Sequence, residues 1–252
     1  IPLKVKRSVI PSTANCARFY ALPKVHKAGI PFRPIVSNIG TASYKLAKYL
    51  VSVFSPLRSQ NLFTVKHSTE FVEKIPNFAP NNSFMASFDV NSLFTNVPVE
   101  GSLLCLKSRL SEFHFTSKEI DELIFLTRIC LKQCSFVFNG RFYTMVDGLA
   151  MENPLSPILS DIYMHYFEVK LFQKLQFQFY VRYVDDCFVL MNHNDLNVDE
   201  VLVILNSIDS HIQFSYELEQ NNCLPFLDVL VSRTESCFET TVYRKPFSVS
   251  LP

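Results

Sequence analysis

The segment SFMASFDV alternates residue by residue: Phe84, Ala86 and Phe88 fall on one face and Met85, Ser87 and Asp89 on the other. It predicts a strand that ends in a carboxylate. FQFYVRYVDDCFVLM places Phe177, Phe179, Val181 and Tyr183 on one face of a strand, breaks at Asp185 and Asp186, and then resumes as a strand. Two carboxylates are thereby expected at a hairpin tip. FVFNGRFYT is two short strand-like runs around Asn139 and Gly140, the dipeptide a tight hairpin turn favours. IQFSYELE and LPFLDVLV, separated by Gln220 to Cys223, predict one more hairpin.

Helical spacing appears elsewhere. Residues 41–58 read as a helix, and Thr116 with Glu119 makes a capping box before Ile120, Leu123, Ile124, Thr127, Cys130, Leu131 and Cys134. That helix is expected to run to about Gln133. Ser156 as N-cap and Pro157 at the first helical position open another, with Ile158, Ile162 and Tyr166 beside Leu159, Tyr163 and Phe167 as its buried stripe. Strands and helices follow each other without strict alternation, which predicts α+β rather than a doubly wound sheet. ALPKVHKAGIPFRPIV is an extended, Pro-punctuated basic segment, and no internal repeat is visible.

With 252 residues, 48% of them hydrophobic, the chain is long enough for one large domain or two small ones. It opens on Ile1 and stops after a strand-like run, which reads as a fragment of a longer protein. No apolar run is long enough for a membrane helix, so an intracellular protein with no membrane partner is expected. Seven cysteines at irregular spacings fit reduced thiols; Cys130 and Cys134 lack a second ligand pair and read as core rather than zinc ligands. The net charge of +1 hides a division: residues 1–80 hold 12 basic and two acidic residues, leaving 12 basic against 21 acidic in residues 81–252. The basic part can neutralise phosphates and the acidic part can hold divalent cations, although a solvated basic face would look the same.

Paired aspartates at the centre of an apolar hairpin are expensive unless something positive compensates them. Oxygen ligands of this kind suit Mg²⁺, and Asp89 at the end of its own strand is placed to complete a two-ion site for in-line phosphoryl displacement. An isolated YVDD is equally a set of surface turn aspartates. The neighbours change that balance.

FDVNSLFTNVP, GLAMENPLSPILSDIYM and RYVDDCFVL, in that order, resemble motifs A, B and C of reverse transcriptases. LPKVHKAGIPFRPIVSNIGTASYKLAKYL, LPFLDVLV and VYRKP narrow the resemblance to Penelope-like retroelements (retrotransposons), whose reverse transcriptases are relatives of telomerase. It covers about residues 20 to 246. The resemblance implies a right-hand polymerase: fingers over 1–80, a palm over 81–235 built as an antiparallel sheet backed by helices, and 236–252 beginning the connection to a missing thumb. It implies an RNA-directed DNA polymerase, a nucleotidyltransferase, working on an RNA template, a DNA primer and dNTPs with two Mg²⁺ or, alternatively, Mn²⁺ ions. Asp89 and Asp185 then correspond to metal ligands, Asp186 to the third active-site carboxylate and the Val90 carbonyl to a further ligand. Phe94 stands at the position of the steric gate against a 2′-hydroxyl, though it reads equally as core. The backbone N–H groups of Ser92 and Leu93, with Met151 and Arg33, correspond to nucleotide contacts, and Lys24 and Lys27 to nucleic-acid phosphate contacts. LPFLDVLV matches the region that positions the primer end, or is an ordinary hairpin.

Motif B departs from the pattern. Relatives show Gly and a small residue where this chain has Glu152 and Asn153. Glu152 brings bulk and negative charge to a place where backbone approaches nucleotide and template closely, unless it swings outward into solvent. This leaves open a catalytically decayed nucleic-acid-binding remnant. An RNA-directed RNA polymerase is the further alternative, and Phe94 argues against it. Nuclear localisation is expected from the family's chromosomal substrate.

Overall fold

The periodicities resolve into eight helices and eleven strands among the residues that a computed structural model describes, namely 3–25, 29–58, 63–76, 82–132, 134–192, 197–235 and 237–244. The order begins α1 (Leu3–Val9), β1 (Ala17–Pro23), β2 (Phe32–Ser37), α2 (Tyr44–Arg58), α3 (Ser68–Lys74) and β3 (Ser83–Val90). It continues through α4 (Leu93–Asn96), α5 (Val99–Glu112), α6 (Ser117–Lys132), β4 (Ser135–Phe138), β5 (Arg141–Thr144) and α7 (Ser156–Lys174). β6 (Phe179–Tyr183), β7 (Asp186–Asn192), α8 (Val198–Ile208), β8 (Phe214–Leu218), β9 (Cys223–Phe226), β10 (Val229–Arg233) and β11 (Phe238–Val242) complete it. The fold is α+β with predominantly antiparallel sheets. Among the described residues no helix is long and apolar enough to cross a membrane.

Two units divide the chain, each assembled from two stretches. The first holds residues 1–60 and 92–166. Its sheet has the order β2-β1-β4-β5, with β1 antiparallel to β2 and parallel to β4. Asn139 and Gly140 turn β4 into β5 with φ of 49° and 72°, both positive as a type I′ turn requires. Ala17, Val36, Cys134 and Ala150 form the core on that sheet, and Phe19 stacks on Phe136 at 5.0 Å. The capping box of α6 is made: the Thr116 N–H donates to Glu119 Oε2 at 2.9 Å, and the Glu119 N–H donates to Thr116 Oγ1 at 3.3 Å. The described span of α6 ends at Lys132, and its expected last residue, 133, lies outside the described residues. Burial pushes the Cys130 thiol up to about 12, as for a packed neutral side chain.

Residues 61–91 and 167–252 make the second unit. Its four-stranded sheet, β6-β7-β3-β8, is antiparallel throughout, and β11-β10-β9 forms a second sheet. Phe71 from α3 meets Phe188 at 5.0 Å and Phe226 at 4.8 Å, so one apolar cluster joins the helix to both sheets. Each such buried ring contributes roughly 1.5–3 kcal/mol. The start of α8 is fixed by a capping box between Asn197 and Glu200.

Three expectations change. The expected hairpin of IQFSYELE with LPFLDVLV is reduced to the antiparallel bridge between Gln220 and Cys223: β8 pairs along its length with β3, while LPFLDVLV folds on itself as β9 and β10 around Leu227 and Asp228. Asn221 and Asn222, at φ of 53° and 61°, turn the chain between them, and two short apolar runs find each other across the nearer turn. β6 begins at Phe179 rather than Phe177, and the loop it enters is Val184–Asp185, with Asp186 already in β7. Ser156 spends its hydroxyl on the Ala150 carbonyl at 2.5 Å; the Asn153 side chain accepts the Leu155 N–H at 3.0 Å before α7 instead.

Candidate active site

The acidic candidates all lie in the second unit. Asp89, on central strand β3, is paired directly with Asp186 of β7, and Tyr183 faces Asp186 from the other side. Paired residues of neighbouring strands share a face, so the Asp89 and Asp186 side chains leave the sheet together. Asp185 is brought to the same end: the Val90 N–H donates to its carbonyl at 3.0 Å. All three aspartates are half-buried. Like charges set directly opposite are destabilising, which a cation at that end would offset. Among the described residues no three acidic, His or Cys side chains already converge on one metal-sized point; what the fold supplies is a register that puts carboxylate oxygens and the Val90 segment together. Hard oxygen donors of that sort fit Mg²⁺.

The turn between β6 and β7 contains no glycine. Val184 has φ of 56° and Asp185 does not share the positive sign, so a β-branched residue stands where Gly is favoured. Leu227 and Asp228 repeat the arrangement between β9 and β10, with Leu227 at 57°.

The nucleotide candidates lie in the first unit. Phe94 belongs to the one-turn α4, whose first donors, Thr95 and Asn96, both bond the Ser92 carbonyl. Ser92 sits in the left-handed region at φ 52°, and the Leu93 side chain is buried. The Phe94 carbonyl accepts the Leu149 N–H at 2.7 Å, so motif B grips α4 directly. Asp147, two residues earlier, accepts the N–H groups of Val99 at 2.9 Å and Gly148 at 2.8 Å and thereby caps α5. Sequence spacing gave no signal for that cap. Met151 is half-buried, Arg33 is exposed on β2 opposite Leu22, and Lys24 follows β1. Lys27 lies outside the described residues.

Glu152 and Asn153 both have defined partners. Asn153, buried, donates to the Cys130 carbonyl at 3.1 Å as well as accepting from Leu155. Glu152 forms a bridge with Ser37 of β2, and the Tyr20 hydroxyl of β1 donates to its Oε1. Hydrogen bonds from Ser37 and Tyr20 hold its carboxyl below the usual range, and the bond to Glu152 raises the Tyr20 phenol. Replacing Glu152 by Gly is expected to lower the melting temperature by only a few degrees, because the site is largely solvated. A carboxyl with a depressed pKa stabilises above its unfolded pKa and loses that contribution as pH falls through the folded one. The gap between parent and Glu152→Gly therefore shrinks in acid, which a melting series from neutral pH downward checks.

Residues 25–221 match a family described as reverse transcriptase (RNA-dependent DNA polymerase). Among curated proteins none matches the chain in sequence. A telomerase from Candida albicans, solved with a TWJ fragment of telomeric RNA, superposes with a TM-score of 0.64 at 14% identity over 99% of this chain and 49% of that one. A telomerase from Candida tropicalis gives 0.65 at 13% identity over 87% and 44%. The RNA-dependent RNA polymerase of a human picorbirnavirus gives 0.58 at 10% identity over 88% and 45%. The chain thus spans about half the length of these structures, and at such identities the likeness is one of fold.

Proposed function

Given that the chain belongs to the reverse transcriptase (RNA-dependent DNA polymerase) family, we propose that it is the catalytic part of a retroelement polymerase that extends a DNA primer on an RNA template. The observation that carries this reading is the pairing of Asp89 with Asp186 beside the Val90–Asp185 bond, on adjacent central strands. Family members work with divalent metal ions, and Asp89, Asp185, Asp186 and the Val90 carbonyl would hold Mg²⁺ here. Bound there, the ions would lower the pKa of the primer 3′-hydroxyl and neutralise charge on the phosphates. The hydroxyl oxygen would bond to the α-phosphorus of a dNTP as the bond to pyrophosphate breaks, with the hydroxyl proton released to water. Arg33 suits the triphosphate through its fork of donors, and Lys24 suits the template or primer backbone. The first unit would serve as fingers with part of the palm, the second as the sheet of the palm. Membership of the Penelope-like group rests on LPKVHKAGIPFRPIV and VYRKP, and a nuclear location follows from it.

Primer extension on an RNA template with Mg²⁺, supplying dNTPs or NTPs, tests the proposal. The parent chain extends with dNTPs and discriminates against NTPs; extension with NTPs alone would make it an RNA polymerase. Salt-sensitive binding without any extension would make it a remnant, the reading that Glu152 favours. If Phe94 is the gate, Phe94→Ala admits NTPs with discrimination reduced by about tenfold or more, since a side chain that excludes by bulk is removed. A Phe94→Ala variant with unchanged discrimination would return Phe94 to the core.

A further inference from the structure

The turn that carries Asp185 is held from within the second unit by a buried ion pair. Arg182 on β6 and Glu168 on α7 have side chains 1% and 0% exposed. Arg182 Nε donates to Glu168 Oε1 at 2.6 Å and Nη2 to Oε2 at 3.3 Å, a bidentate fork. The Tyr180 hydroxyl donates to the same Oε1 at 3.1 Å, and burial holds its phenol well above the usual range, so it stays a donor. The other arm of the guanidinium, Nη1, donates to the Val184 carbonyl at 2.9 Å. Arg182 is fixed through its backbone as well: its N–H donates to the Phe63 carbonyl at 2.7 Å, and its carbonyl accepts the Val65 N–H at 2.9 Å.

A buried ion pair is a weak source of stability, because desolvation offsets the attraction and apolar residues of similar volume often serve as well. The Val184 bond suggests what this one does. Val184 occupies the left-handed region at φ 56°, a conformation that persists in a β-branched residue only where its surroundings over-determine it. We propose that Arg182 is a positioning residue, oriented by Glu168 and Tyr180, whose bond to the Val184 carbonyl holds the strained turn and so sets Asp185 and Asp186 against Asp89. The proposal rests on the reading of these three carboxylates as a metal site. Arg182 touches neither ion nor substrate; it acts through the turn.

The test titrates the full chain with Mn²⁺ alone, read by electron paramagnetic resonance, alongside melting. Asp185→Asn separates the two levels: if it binds Mn²⁺ as the parent does, the metal site itself is wrong. Arg182→Lys keeps the charge but cannot make the fork and the carbonyl bond together, and it binds Mn²⁺ about tenfold more weakly, the loss expected of an outer partner of metal ligands. Adding Val184→Gly to that variant recovers the affinity, because glycine holds a positive φ without help. Arg182→Met with Glu168→Met melts at or above the parent temperature and still binds about tenfold more weakly. Parental affinity in either Arg182 variant overturns the proposal, as does failure of Val184→Gly to rescue. If the double-Met variant does not fold, the Lys and Lys/Gly variants decide.

Discussion

Asp185→Asn will leave less than about a thousandth of the parental primer extension while melting at or slightly above the parent temperature. Asn keeps the shape of the loop residue and removes only its charge. Asp185 lies in the two-residue turn after Tyr183, and its carbonyl, which accepts the Val90 N–H, is untouched by the change. That backbone link is kept, and one of three mutually repelling carboxylates is neutralised. The loss falls on the metal. A ligand at a hundred times its dissociation constant stabilises the folded state by about 2.7 kcal/mol, so the parent should melt several degrees higher with Mg²⁺, and Asp185→Asn should lose most of that rise. Asp228 provides the control. It follows Leu227 as Asp185 follows Val184, in a turn of the same length and the same sign of φ, yet the next residue, Val229, faces Val242 on the neighbouring strand where Asp186 faces Asp89. Asp228→Asn should keep the whole Mg²⁺-dependent rise. Equal behaviour of the two variants, or extension by Asp185→Asn at the parental rate, would reduce YVDD to turn chemistry.

That comparison also shows why the site was only partly legible in the sequence. Leu227–Asp228 and Val184–Asp185 look alike locally, and only the partner strand separates them. The alternation of β3, the Asn139–Gly140 turn and the Thr116–Glu119 cap could be read because each is decided within a few neighbouring residues. The partner of β8 could not, since joining β3 rather than the next hairpin is a choice between distant strands. The same holds for the interactions that position the candidates. Arg182 reads as one more position in an apolar strand, and Glu168 as a polar break in the stripe of α7, until the fold brings them within 2.6 Å. Glu152 read as a bare departure from a motif; its partners, Tyr20 and Ser37, lie more than a hundred positions away. The motifs identify the chemistry, and the long-range contacts that hold it in place belong to the fold.

Gly148→Ala should be the most damaging small substitution in motif B. Gly148 has φ of 86°, and a Cβ built there would lie 2.5 Å from the Thr95 carbonyl oxygen and 3.1 Å from Thr95 Cα. That oxygen cannot move aside alone: Thr95 is bonded through its N–H to Ser92, and the next link, Leu149 N–H to Phe94 carbonyl, spans only 2.7 Å. Backbone strain and overpacking contribute about 1–3 kcal/mol each, so a loss of about 3–5 kcal/mol is expected. For a chain of this size that is a fall of roughly 10 °C. Gly140 isolates the two causes, having φ of 72° but nothing within 4 Å of the added Cβ. Gly140→Ala should lose only the strain, about 1–2 kcal/mol. The function should follow the geometry: pushing Thr95 away shifts Phe94, so Gly148→Ala should weaken discrimination between dNTPs and NTPs when assayed below its melting temperature, whereas Gly140→Ala should not. If the two alanine variants melt together, the contact between motif B and α4 is loose. Phe94 would then need another support to act as a gate.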